Sequence, residues 1–169
     1  MATNAGLHSA LQRLERAAAK LTPDEAVALI DAEIAELENP EYAPHFEVQK
    51  AAVLHGAGQL SEAAQLLERV AAQYEAVDSV YFFAGQYALE LGRYRQAIGY
   101  LTNCLDICES SSDGWYQDSA YMLRAYCAAK TGNAELARRD LAHVADGDAM
   151  SWIAVDPVIS SDSIETMLR

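Results

Sequence analysis

Residues 92–101 read GRYRQAIGYL, and this stretch decides the fold because its pattern occurs three times in the chain. Residues 58–67 read GQLSEAAQLL, and residues 132–141 read GNAELARRDL. Each block has a glycine, a packing residue two positions later, an alanine three positions after that, and a leucine four after the alanine. The first two glycines lie 34 residues apart and the last two lie 40 apart, so the pattern predicts a repeated structural unit.

The spacing within each block predicts a pair of closely packed helices. A glycine that adopts a left-handed conformation ends one helix and leads the chain into a tight turn. A small alanine side chain lets the second helix approach the first closely, and the leucine one turn later fills the space between them. The alanines and leucines in these roles are Ala63, Ala97 and Ala137, with Leu67, Leu101 and Leu141.

This pattern resembles the tetratricopeptide repeat (TPR) family over about residues 44–144. Tyr81 and Gly85 occupy the aromatic and small positions of the family's first helix in the middle repeat, and Tyr121 and Ala125 do so in the third. The first repeat departs from the pattern because Glu47 stands where an aromatic residue is usual, and no repeat keeps the family's terminal proline. The resemblance implies an all-α, right-handed solenoid.

The predicted organisation is a single domain of successive helix pairs. Thr22, Pro23 and Glu25 form a capping-box sequence, which predicts the start of a helix in an opening pair that only partly follows the repeat pattern. The predicted segments are the opening pair 8–39, the repeats 44–77, 78–109 and 115–145, and a C-terminal cap 146–169.

Two further expectations concern the loops and the cap. Trp115 and Tyr116 follow the turn-forming residues 110–114, and we expect both to anchor the next helix. A solenoid exposes an apolar end that needs covering, and we expect Trp152 and Ile153 to anchor such a cap. Residues 162–165, DSIE, predict a capping box for a last short helix.

Charge and composition narrow the function. The 169 residues carry a net charge of −13, and the stretch between Lys20 and Lys50 holds eight Asp and Glu residues and no other Lys or Arg. Such a surface disfavours nucleic acid and anionic membranes as direct partners. The acidic stretch is either a solvated helix face or an attractive surface for a basic partner. The first six residues lack the pattern of a secretory signal, and three cysteines form no disulfide framework, so we expect a cytoplasmic protein.

No sequence motif indicates catalysis, a cofactor or a metal. Cys104 and Cys108 could share a helix face, but the paired Cys-x-x-Cys units of structural zinc are absent, and burial in the core is favoured. The four histidines form neither a metal-binding motif nor a recognisable triad. We therefore expect a protein that is not an enzyme. A hydrolase or transferase that uses His45 or His55 is an alternative.

The resemblance to TPR proteins implies a partner-binding groove lined by the first helix of each pair. For Phe82 and Met122, packing within the solenoid is an alternative. Val48, Phe82 and Met122 stand where family members that clamp a carboxylate-terminated peptide have lysine, which argues against that ligand. The implied groove residues are His45, Val48 and His55, then Phe82, Gln86 and Glu90, then Met122, Tyr126 and Lys130.

The predicted function is therefore the binding of one main protein partner. Its most specific form is a bacterial immunity-type protein that blocks a toxin domain, because many toxin domains that act on nucleic acids are basic and the opening segment here is acidic. The alternative is an adaptor or secretion-type chaperone on the same scaffold. The sequence does not separate these two, and it leaves the oligomeric state open.

Overall fold

The computed structural model describes residues 3–111, 114–144, 149–150 and 159–169, and helices dominate them. Two-residue strands β1 (Ala149–Met150) and β2 (Ile159–Ser160) pair antiparallel, and Pro40–Tyr42 forms a 3-10 turn. The helices in the described residues are α1 (Thr3–Ala18), α2 (Pro23–Ala35), α3 (Ala43–Gly56), α4 (Leu60–Gln73), α5 (Asp78–Glu90), α6 (Tyr94–Ser110), α7 (Gln117–Lys130), α8 (Ala134–Leu141) and α9 (Ser161–Met167).

The helices form two compact units, Met1–Glu75 and Ala76–Arg169. In the first unit, α1 and α2 both pack against α3, and α3 packs against α4. In the second unit, α5, α6, α7 and α8 each pack against the next, and α5 also contacts α7. Successive antiparallel helix pairs of this kind confirm the prediction of an all-α repeat fold.

The repeated glycines make the turns as predicted. Gly92 has a φ of 72°, its backbone N–H donates to the Leu89 carbonyl at 2.8 Å, and the next N–H, that of Arg93, donates to the Ala88 carbonyl at 2.8 Å. This pair of bonds ends a helix with its last carbonyls satisfied. The same pair of bonds and a left-handed φ recur at Gly58 (79°) and Gly132 (78°).

Gly85 marks the closest approach between α5 and α6. A Cβ atom at this position would lie 2.7 Å from Cγ and 2.9 Å from Cδ2 of Leu101, closer than real Cβ atoms approach a neighbour. Ala97 and Leu101, the alanine and leucine of the repeated pattern in this block, are fully buried. The repeat pattern therefore allows the two helices to pack closely. Gly85 on α5 has no side chain, and it faces the branched Leu101 of α6, one turn after the small Ala97.

A buried ion pair joins α7 to α8 and reaches α6. The Nε and Nη2 atoms of Arg124 donate to the two carboxylate oxygens of Asp140 at 2.7 and 2.8 Å, and Nη1 donates to the Thr102 hydroxyl at 3.0 Å. Asp140 is 0 % exposed and Arg124 is 8 % exposed. This pair was not predicted from the sequence, because charged residues 16 positions apart give no pattern by themselves.

The first three helices of the first unit share a small apolar core. Leu14 of α1, Ile30 of α2 and Phe46 of α3 are buried together. The predicted capping box is present, since the Thr22 N–H donates to the Glu25 carboxylate at 2.9 Å and the Glu25 N–H donates back to the Thr22 hydroxyl. The hydrogen bond from the Thr22 backbone lowers the pKa of Glu25. This box fixes the start of α2 beside the end of α1.

The C-terminal segment packs on the last helix pair. The predicted last helix is α9, but its capping box is formed by Ser160 and Ser163 rather than by residues 162–165, because Ser160 is the residue with extended geometry before the helix. Both α9 and β2 contact α7, and Ile159 and Ile164 are buried. The expected anchors Trp152 and Ile153 lie outside the described residues.

We predict that Gly85→Ala lowers the free energy of unfolding by about 1–3 kcal/mol, because the added methyl group collides with Leu101. Gly99→Ala on the exposed face of α6 is the matched control, since its Cβ would meet nothing within 4 Å. We expect that control to stabilise the protein by about 0.5–1 kcal/mol. Urea denaturation followed by circular dichroism measures both values, and equal effects of the two substitutions would contradict the proposed close approach.

We predict that Asp140→Asn destabilises the protein by about 3 kcal/mol or more, because it leaves the Arg124 guanidinium buried without its counter-charge. The double variant Arg124→Met with Asp140→Leu removes both charges and should regain most of that loss. Thermal unfolding of the two variants measures the difference. An Asp140→Asn variant as stable as the parent would show that the buried Arg124 guanidinium does not require its counter-charge.

Candidate functional site

The groove residues predicted on α3 differ in exposure. Val48 is 5 % exposed and belongs to the interior of the first unit, whereas His45 and His55 are half-buried. Glu47, at the position where TPR proteins usually have an aromatic residue, is half-buried, and its Oε2 atom has no hydrogen-bond partner among the described residues. Burial raises the pKa of Glu47, opposed by the nearby positive charge of Lys50.

Phe82 and Met122 lie in the interior of the second unit, as the packing alternative stated. They are 0 % and 1 % exposed, so their side chains contact the protein's own core. The Phe82 ring stacks on the Tyr116 ring with centroids 4.7 Å apart and meets the Phe83 ring edge-on at 5.3 Å. Replacing Phe82 would therefore disturb the fold before it reported on a partner.

Buried polar atoms lie along α5. The Nε2 atom of Gln86 donates to the Glu90 carboxylate at 3.0 Å, but Gln86 is 5 % exposed and its Oε1 atom accepts no hydrogen bond from the described residues. The hydroxyl of Ser79, two turns earlier on the same helix, is also buried without a hydrogen-bond partner among the described residues. Buried polar groups in native proteins are usually satisfied by protein or water.

Tyr126 and Lys130 are two of the groove residues predicted on α7. Tyr126 is 5 % exposed, and its ring lies edge-on to the Tyr94 ring at 6.3 Å. Lys130 is exposed, and its Nζ atom lies 5.2 Å from the centre of the Tyr126 ring. The structure thus leaves four of the nine predicted groove residues with appreciable exposed area, namely His45, His55, Glu90 and Lys130.

An open apolar groove of about 310 Å³, which the sequence did not predict, lies in the first unit between α1, α2 and α3. Leu21, 40 % exposed, stands at its edge. The turn between α1 and α2 has no glycine, whereas the turns within the three later helix pairs contain Gly58, Gly92 and Gly132. This difference is the sequence signal that the first pair packs differently. The groove is lined mainly by Leu14, Ala18, Leu21, Ala26, Ile30 and Ala52, with Glu15 and Gln49 as polar members.

The acidic stretch of the first unit is largely on the surface. Residues 1–75 contain twelve Asp and Glu residues against five Lys and Arg residues. Lys50 forms an ion pair with Asp31 at 2.5 Å, so one of these charges is matched locally. The exposed carboxylates between Lys20 and Lys50 are Asp24, Glu25, Asp31, Glu33, Glu36, Glu38 and Glu41.

The two aromatic residues before α7 have opposite environments. Tyr116 anchors the helix as expected, stacked on Phe82, and burial together with the nearby Asp78 raises the pKa of Tyr116 to about 12. Trp115 does not anchor it, since 82 % of this residue is exposed. A single inward-facing position at this turn explains the difference, because the Tyr116 ring already fills it.

The three cysteines are core residues. Cys104, Cys108 and Cys127 are 0–2 % exposed, and none of them forms a disulfide bond. Burial raises the pKa of the Cys104 thiol and raises that of Cys127 to about 12, so neither is a thiolate near neutral pH. Within the described residues, no group of three His, Cys, Asp or Glu side chains could hold a metal ion. No helix in that part of the chain is long and apolar enough to span a bilayer.

Solved structures with TPR-like repeats share this fold. A kinesin light chain-like protein of Podosopora anserina, described as having nearly identical TPR-like repeats, superposes with a TM-score of 0.62 at 19% sequence identity. The match covers 85% of this chain and 75% of that one, and a single-substitution variant of the same protein gives the same score. MamA from AMB-1 superposes with a TM-score of 0.53 at 18% identity, over 70% of this chain and 65% of that one.

Sequence comparisons add nothing to this structural likeness. Neither the protein-family models nor the curated proteins give a match to this chain. At 18–19% identity, structural similarity shows the fold and leaves the partner undetermined. The chain therefore has the fold of TPR-like repeat proteins.

We predict that the thiols of Cys104, Cys108 and Cys127 react with Ellman's reagent at pH 8 at least about a hundredfold more slowly in the native protein than in urea, because all three are buried and burial raises the pKa of Cys104 and Cys127. The absorbance of the released thiolate measures the rates. Rapid reaction of one thiol in the native state would identify a reactive cysteine and reopen the catalytic alternative.

Proposed function

We propose that this protein is a binding module for one main protein partner in the cytoplasm, with the apolar groove of the first unit as part of its binding surface. The observation that carries the proposal is the groove itself, which keeps about 310 Å³ of apolar space open between α1, α2 and α3. Its floor is formed by Ala26 and Ile30, which are almost fully buried, and its edge by the exposed Leu21. An apolar centre with a polar surround is typical of protein interfaces.

The groove suits side chains of a protein better than a small-molecule ligand. Its volume is at the lower end of the ~300–1,000 Å³ typical of small-molecule sites. Glu15 and Gln49 are its polar members, so few groups are available to orient a polar ligand. Space for two or three apolar side chains beside a large exposed surface matches the anchor residues of a protein partner.

The charge of the first unit favours a basic partner. Seven carboxylates between Lys20 and Lys50 are exposed, and Glu15 lines the groove itself. Opposite charge on the partner would speed association and would exclude acidic competitors. His45 and His55 in the first unit, with Glu90 and Lys130 in the second, are the sequence-predicted contact residues that we retain in this proposal because they have exposed area.

The finer form of the proposal is an immunity-type inhibitor of a basic toxin domain. The exposed acidic stretch supports it, because such a surface can cover a basic active site. An adaptor or secretion-type chaperone uses the same scaffold and is the alternative. Rescue of toxin-expressing cells by co-expression distinguishes the two, and a lack of rescue would leave only the coarser proposal.

We predict that Ala52→Trp weakens binding of the partner about tenfold or more, because the indole ring fills the groove from an exposed position of α3. Ala28→Trp is the matched control, since Ala28 is exposed on α2 and does not line the groove. Tagged parent protein captures the partner from cytosol, and calorimetry with the purified partner measures both variants. Equal affinity of the two variants would place the binding site outside the groove.

A further inference from the structure

We propose that the turn at residues 114–118, with Trp115 at its centre, docks an arginine side chain from a basic segment of a protein partner. Among the large apolar side chains of the described residues, Trp115 has the largest exposed fraction, 82 %. An indole left in water forgoes the favourable free energy of burying an aromatic side chain. A partner that covers the ring recovers that free energy.

The residues that follow Trp115 hold the backbone of this turn in place. Tyr116, next in sequence, stacks on the buried Phe82 at 4.7 Å and meets Phe83 edge-on at 6.0 Å. The Gln117 N–H donates to the Gly114 carbonyl at 3.0 Å, and the Ala120 N–H donates to the Tyr116 carbonyl at 2.8 Å. The backbone that carries Trp115 is therefore ordered, so binding there does not require a loop to be ordered first.

The charge around the turn selects a cation. The 28 residues 96–123 contain no Lys or Arg, whereas Asp106, Glu109 and Asp118 in this stretch are all exposed. Asp118 lies in the first turn of α7, three residues after Trp115. Asp78 lies near enough to Tyr116 to add to the rise of its pKa. The nearest basic residue along the chain after this stretch, Arg124, is buried in its ion pair with Asp140.

An arginine fits this arrangement better than a lysine. A cation over the face of a tryptophan ring is attracted by the ring's electrons, and the planar guanidinium can also stack on the ring. Its remaining N–H groups can donate to the Asp118 carboxylate. The turn belongs to the second unit and the apolar groove to the first. The two proposals therefore use different residues and are tested separately.

Fluorescence of Trp115 provides the test. The chain has two tryptophans, and Trp152→Phe in the full-length protein leaves Trp115 as the sole indole. The probe is the peptide acetyl-Gly-Arg-Gly-Arg-Gly-amide, and the matched peptide has Gln in place of both Arg residues. We expect a saturable fluorescence change with the Arg peptide and none with the Gln peptide. Asp118→Asn should weaken the Arg peptide about threefold. Asp162→Asn, an exposed aspartate in the first turn of α9, should leave it unchanged.

Three results would overturn the proposal. The absence of any response of Trp115 to the Arg peptide would show that no cation docks there. Equal responses to the Arg and Gln peptides would show that charge plays no part. Equal weakening by Asp118→Asn and Asp162→Asn would show general attraction to an acidic protein. Trp115→Ala should keep the helical circular dichroism, because the side chain is exposed, and should lose the amide chemical-shift changes that the Arg peptide causes at residues 114–118.

Discussion

The close approach of α5 and α6 at Gly85 is the constraint on which the second unit depends. With no Cβ at that position, Leu101 can occupy the space against the α5 backbone, and Ala97 one turn earlier is small enough to keep the helices together. The left-handed Gly92 sets the turn that brings the two helices face to face. Dense packing follows from this geometry, because interiors tolerate neither an extra methyl group nor a void at such a contact.

Polar interactions then determine how α7 and α8 pack against each other and against α6. Arg124 on α7 binds Asp140 on α8 with two short hydrogen bonds and also reaches Thr102 on α6. A buried ion pair of this kind contributes little net stability but strongly disfavours arrangements that separate its members. It therefore determines the register of α7. Because Trp115 lies two residues before α7, the position of α7 also determines where Trp115 is placed.

The two candidate binding features follow from departures from the regular repeat. In the first unit, α1 and α2 lack the glycine turn, and an apolar groove beside an acidic surface lies between them and α3. In the second unit, the longer loop before α7 supplies two aromatic residues where the core admits one. Regular repeats bury their apolar side chains against each other, so apolar side chains remain uncovered where that regularity ends.

Local spacing in the sequence was enough to predict the helices, the glycine turns and the repeat: glycine for a left-handed φ, alanine for close approach and Thr22 with Glu25 for a helix start. It could not determine which side of a helix meets solvent once neighbouring helices cover several faces. Val48 was predicted in a groove and lies in the core, as do Phe82 and Met122, for which packing within the solenoid was the stated alternative. Trp115 was predicted as an anchor and is exposed. The pairing of Arg124 with Asp140 and the groove between α1, α2 and α3 were decided only by tertiary structure, because both join residues that are distant in sequence.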